Sequence, residues 1–124
     1  MTSEETPGAQ APALATIANP YPTLATEVRL QFPLARLCPV SAEPQPGSTI
    51  AISYRAGALL LETKALRAYL EAYARQEPPE VRDLEELAQV VALHCARALG
   101  GEVEVHTHYV LAHGTMDVRV RCAP

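Results

Sequence analysis

The sequence predicts an α+β domain: a four-stranded antiparallel sheet carrying two helices on one face. Three observations predict it. Alternating apolar and polar residues occur in two runs in the first half of the chain and two at its end. Between them lie two stretches whose apolar residues recur every three or four positions. Glycine and proline punctuate the boundaries. The resulting order is β-β-α-α-β-β, and paired strands followed by paired helices bury both in one core when the helices lie on the apolar sheet face.

Each element has its own signal. Over 26–32, Val28, Leu30 and Phe32 alternate with Glu27, Arg29 and Gln31, the pattern of a half-buried strand. A long loop follows, from Pro33 through Cys38-Pro39 to Pro46-Gly47. A second strand spans 49–55, with Ile50, Ile52 and Tyr54 on one face, and Gly57 breaks it. Leu66, Tyr69, Leu70 and Tyr73 make one stripe of a helix over 63–75, stopped by Pro78-Pro79. A second helix is expected over 80–99, its stripe being Leu84, Leu87, Ala88, Val91, Cys95 and Ala98. Asp83, Glu85 and Glu86 sit in its first turns, where the helix dipole favours anions, and Gly100-Gly101 ends it. Strands over 103–111 and 116–122 close the domain as a hairpin turned at His113-Gly114.

Composition bounds the function. At 124 residues there is room for one domain. Apolar residues make up 48% but aromatics only 5%, so the core rests on Leu, Val, Ala and Ile. A net charge of −4 argues against direct, nonspecific nucleic-acid binding, which needs a basic surface. No apolar run approaches the ~20 residues of a membrane span. Residues 1–18, rich in Ala, Pro, Thr and Glu, read as a disordered tail without a basic leader. The domain then occupies 19–124, starting at Asn19-Pro20-Tyr21-Pro22. Three irregularly placed cysteines make no disulfide framework, which fits a cytoplasmic protein with reduced thiols. A small sheet with open outer strands must manage its edges. Pairing edges between subunits into a closed barrel is one solution, and ligand sites then fall at subunit junctions.

Among residues that carry chemistry, Cys95 and Cys122 sit on apolar faces and read as small core side chains. Cys38 lies in a loop instead. A reactive thiol there needs its pKa lowered, for which Lys64 and the start of the first helix are the nearest sources in sequence. Glu62, Lys64 and Arg67 read either as a solvated helix start or as a receiver of phosphates. His106 and His108 share a strand face, with His113 in the turn. No Cys or carboxylate at a recognisable spacing completes a metal set, so none is expected. No glycine-rich phosphate loop or dinucleotide fingerprint occurs.

Several short motifs in order carry a resemblance. These are Asn19-Pro20-Tyr21-Pro22, Leu37-Cys38-Pro39-Val40-Ser41 with Pro44, Thr49-Ile50-Ala51-Ile52-Ser53-Tyr54, and Leu61-Glu62-Thr63-Lys64-Ala65-Leu66-Arg67 with Tyr69. The chain resembles the single-module NADPH-dependent 7-cyano-7-deazaguanine reductases of the tunnelling-fold superfamily, over roughly residues 19–121. That resemblance implies the tunnelling fold and a homo-oligomer with sites at subunit interfaces. It also implies reduction of a deazapurine nitrile to the aminomethyl base, a precursor of queuosine in tRNA. Carried over by motif, Cys38 is the nucleophile that forms a thioimide with the nitrile. Leu61, Glu62 and Thr63 line the base site. Thr63, Lys64 and Arg67 meet NADPH. A covalent adduct makes sense, because a nitrile is a poor hydride acceptor and the thioimide splits the hard step.

The chain also departs from the family pattern. Where the family has a proton-donating aspartate, counting without gaps gives Gln45, and an amide has no proton to give. Glu43 is nearby. The family's His-Glu substrate pair falls at Pro79-Glu80 if one residue is deleted, leaving Glu80 to hold a guanine-like edge. The Arg-Gly-Gly cofactor turn becomes His113-Gly114-Thr115. Three functions stay open. One is a nitrile reductase with altered acid catalysis. Another is an amidine-forming transferase that uses the same thioimide. The third is a noncatalytic purine- or pterin-binding or scaffold protein.

Overall fold

The computed structural model describes residues 13–34, 44–74 and 83–124. In chain order the elements are β1 (Thr16–Ala18), β2 (Glu27–Pro33), β3 (Gln45–Arg55), β4 (Leu59–Leu61), α1 (Thr63–Ala74), α2 (Leu84–Leu99), β5 (Val103–Leu111) and β6 (Gly114–Cys122). The main sheet has the order β2-β3-β5-β6, antiparallel throughout. The α+β class, the four-stranded antiparallel sheet and the two helices between its middle strands are as the sequence leads one to expect.

Register sorts the side chains. Leu30, Ile52, Val105 and Val120 form one cross-strand row, and Val28, Tyr54, Val103 and Cys122 form the next. Because side chains alternate along a strand, these rows share one face. That face merges with the buried positions of both helices: Leu66, Tyr69 and Leu70 from α1, and Leu87, Ala88, Val91, Ala92, Cys95 and Ala96 from α2. Each large aliphatic side chain so buried contributes about 1.5–3 kcal/mol. Three tyrosines complete the core while satisfying their hydroxyls. Tyr109 donates to the Leu84 carbonyl at 2.7 Å. The Tyr69 hydroxyl and His94 Nδ1 are hydrogen-bonded at 2.6 Å and join the two helices. The Tyr54 oxygen accepts from the Leu61 amide at 2.9 Å, pinning β4 beneath the sheet.

Four expectations need correction. Asp83 is extended (φ −147°) and its carboxylate accepts from the Glu86 amide at 2.7 Å, so it caps α2 and the helix starts at Leu84 rather than at 80. At the other end Gly100 takes the left-handed conformation (φ 69°) that glycine adopts at least cost. Residues 16–18 belong to no tail: they pair with Leu59–Leu61 as a two-stranded sheet, and the Ala15 carbonyl accepts from the Glu62 amide at 2.9 Å. β3 begins at Gln45, inside the expected loop. The hairpin turn is Ala112-His113, because Gly114 already pairs with Leu111.

Candidate functional site

The described candidate residues fall partly at one end of the main sheet and partly on β4 and the start of α1. Glu27, Arg55, Val103 and Cys122 mark one end, through the pairs Glu27–Arg55, Tyr54–Val103 and Val103–Cys122. Gln45, Val110, Leu111 and Gly114 mark the other. The eight steps of β5 separate them by about 27 Å at ~3.4 Å per residue. Gln45, His113 and Gly114 therefore lie together at the far end. Leu61, Glu62, Thr63, Lys64 and Arg67 lie at the start of α1, tied to the near end through Tyr54. Cys38, Glu43 and Glu80 are outside the described residues.

At the α1 start, Leu61 is buried and Glu62 half-buried, whereas Thr63, Lys64 and Arg67 are exposed. The Glu62 carboxylate accepts from the Lys64 amide at 3.2 Å and the Ala65 amide at 2.7 Å. It thereby satisfies amides that the first helical turn leaves without partners. A phosphate arriving here would meet the side chains of Lys64 and Arg67, not those amides. Arg67 lies 3.7 Å from Glu71, both largely exposed.

At the far end, the ladder between β3 and β5 jumps from Gln45–Val110 to Thr49–His108. Three residues of β3 thus oppose Tyr109 alone, and Gly47 turns the bulge at φ +99°. Ser48 holds it. Its hydroxyl donates to the Gln45 carbonyl at 2.8 Å and accepts from the Val110 amide at 2.9 Å. Its own carbonyl accepts from the Leu34 amide at 2.8 Å. Ser48 is 1% exposed, and Pro44, which precedes Gln45, is buried as well.

The opposite sheet face is polar. Arg29, Ser53, Glu104 and Arg121 form a row across it. An open groove of ≈ 850 Å³ runs over its near end, lined by Glu27, Arg29, Ser53, Arg55, Glu104 and Arg121 among others, and by none of the candidate residues. Beside it, His106 Nε2 and His108 Nδ1 approach the same Asp117 oxygen, at 2.8 and 3.0 Å. Sequence spacing missed this carboxylate. The described residues include no cluster of three or more His, Cys, Asp or Glu able to hold a metal ion. The two imidazoles hold the Asp117 carboxyl below the usual carboxylate range. A depressed carboxylate stabilises the fold fully above its unfolded value, about pH 4, and loses that contribution as pH falls through its folded value. Asp117→Asn is therefore expected to destabilise at pH 7 and to match the parent at the acid end. Urea midpoints across pH 2–7 check this, and a gap that stays constant with pH would rule it out.

The described cysteines behave as core residues to different degrees. Burial pushes the Cys95 thiol up to about 12 and leaves it inert. Cys122 is half-buried on the outermost strand rather than fully enclosed, its thiol 3.4 Å from the Ala123 carbonyl. Brief alkylation of the native protein is expected to label Cys38 first and Cys95 last, read by peptide mass mapping. Cys95 labelled ahead of Cys38 would refute the assignment. None of the described helices is long and apolar enough to cross a membrane. Compared with known protein families and with curated proteins, the chain matches no family model and no curated sequence.

Proposed function

We propose that this chain is a tunnelling-fold protein of the deazapurine nitrile reductase type, which captures the cyano base on Cys38 between subunits. One observation carries the reading. The four-stranded sheet of sequential order is about 27 Å long, with Gln45 and Gly114 at one end and Tyr54, to which Leu61 at the start of α1 is bonded, toward the other, so we take the site to draw on more than one subunit. The strands alternate in direction, so the two edges, β2 and β6, run antiparallel to each other. Copies placed side by side in a ring can pair β6 with the neighbour's β2 without reversing any strand. Pairing also removes two exposed edges. Sizing with light scattering at micromolar concentration is expected to return a multimer, and a monodisperse monomer would refute the ring.

In the reaction, the Cys38 thiolate adds to the nitrile carbon. One π bond of the C≡N group breaks, its electron pair goes to nitrogen, and nitrogen takes a proton from water or Glu43. Gln45 orients that nitrogen without donating to it as an acid. Glu80 and Glu62 hold the base. Lys64 and Arg67 would hold the phosphates of NADPH, which when bound would supply the hydride equivalents, two per nitrile. Incubating the pure protein with the cyano base and NADPH, followed by intact mass and by NADPH oxidation, tests the reading.

A second reading is a noncatalytic purine- or pterin-binding or scaffold protein. Two features favour it: an amide at position 45, and a Glu62 carboxylate already engaged in capping α1. It expects reversible binding of the base with no gain in protein mass.

A further inference from the structure

We infer that a second copy of this chain lays its β2 along β6 in one register, staggered by four residues, with its Arg29 facing Asp117 and its Glu27 facing Arg119; the inference rests on the ring of the reading above and names its contacts. The edge strands carry the motive. Ile52 and Val105, on the central strands, are fully buried. On the same face, Val28, Leu30 and Phe32 of β2 and Met116, Val118 and Val120 of β6 are only half-buried. A neighbouring strand at each edge continues that apolar layer across the junction. The other face of both edges is charged, with Glu27 and Arg29 on β2 and Asp117, Arg119 and Arg121 on β6, all exposed. Their contacts within one subunit leave the side chains of Glu27, Arg119 and Asp117 82%, 65% and 52% exposed, within reach of a neighbour.

Charge and closure select the same register. Strand partners put Val28 level with Cys122 of its own subunit, so an unstaggered junction sets Val28 opposite the neighbour's Cys122. Only even staggers keep the apolar side chains on one face. With none, Arg29 meets Arg121. With two, Glu27 meets Arg121 but Arg29 meets Arg119. With six, Glu27 meets Asp117. Each of these sets like charges opposite, which destabilises a strand pair. With four, Arg29 meets Asp117, Glu27 meets Arg119, Val28 meets Val118 and Leu30 meets Met116. Staggers in the opposite sense bring neither Glu27 nor Arg29 to a charge on β6. A closed ring makes its own demand, because its strands must tilt by roughly 35–45°. Four residues of stagger over four strands give a tilt of about 35°, at ~3.4 Å per residue and ~4.8 Å per strand. Two residues give only about 20°.

Cross-linking reads the register directly. Gln31 is exposed on β2 and faces the neighbour's Thr115 at a stagger of four, its Asp117 at two and its Arg119 at none. Within one subunit β2 and β6 are the opposite edges of the sheet, about 14 Å apart at ~4.8 Å per strand. A disulfide cannot span that distance, so any bond formed joins two subunits. Three double variants are compared under mild oxidation: Gln31→Cys with Thr115→Cys, with Asp117→Cys and with Arg119→Cys. Each is shown folded by circular dichroism, and the corresponding single variants give the background from the native thiols. The first is expected to form a ladder of linked subunits on a non-reducing gel, and the other two to stay at background. A multimer that links through Asp117→Cys or Arg119→Cys instead overturns the register and leaves the ring intact. A multimer that links through none of the three overturns the docking of β2 on β6. A monodisperse monomer in sizing of the wild type overturns the ring and this inference with it. Mass gain with the cyano base, measured on the same wild-type sample, reports on the nitrile chemistry separately.

Discussion

Replacing Gln45 with Asp is expected to accelerate thioimide formation on Cys38 by about 10²–10⁴-fold, the usual worth of a positioned general acid. Thioimide formation needs a thiolate, an aligned nitrile and a proton for the nitrogen that becomes basic as the bond forms. The wild-type chain places an amide at the head of β3, where its backbone is held by Ser48. A carboxyl carried by the same backbone can be protonated and can hand that proton over. NADPH oxidation should rise with it, because the adduct is what accepts hydride. Intact mass after timed incubation with the cyano base reads the first step separately from the second. If folded wild type and Gln45→Asp both fail to gain mass, the enzyme reading is rejected and the binding or scaffold reading stands.

Ile52→Ala is expected to cost about 2–5 kcal/mol, the range for emptying a buried aliphatic site. Ile52 is fully buried in a central strand, with Leu30 and Val105 beside it in the same row. Against a typical total stability of ~5–15 kcal/mol, that is a large fraction. The neighbouring residue provides the control. Ser53 points to the polar face, and Ser53→Ala is expected to stay within about 0.5 kcal/mol. Urea denaturation of the three proteins measures the difference. A cost below about 1 kcal/mol for Ile52→Ala would mean that the helices do not seal this row.

The faces of the sheet were legible because period-two alternation depends only on local sequence. Val28, Leu30 and Phe32 declare their side whatever they pair with. Partners are another matter, since they depend on where the turn falls. A turn at His113-Gly114 would set His108 opposite Arg119. With the turn at Ala112-His113, His108 instead faces Asp117. A one-residue shift of the turn moves every partner by two and leaves the faces unchanged, so a correct face assignment gave no warning. β4 and β1 were hidden for a related reason. Three residues each are too few to show alternation, and their evidence is a long-range pairing, Thr16 with Leu61. The bulge escaped because Pro46-Gly47 signals a turn in any local reading, while its closure depends on a Ser48 hydroxyl reaching a strand 62 residues away. The candidate residues were readable as residue types, and their places in the fold were not, because only register reports distance.

The placement of the first and last strands of the main sheet has an evolutionary consequence. β2 enters the sheet at Glu27 and β6 leaves it at Cys122, and register puts both at the same end. Two copies laid side by side would therefore present the last strand of one near the first sheet strand of the next. A gene duplication that read through from one copy into the other would need only a connecting segment at that end, with no strand reversed and no helix displaced. Once joined, the two halves could diverge, each free to keep one end of the sheet for chemistry and surrender the other.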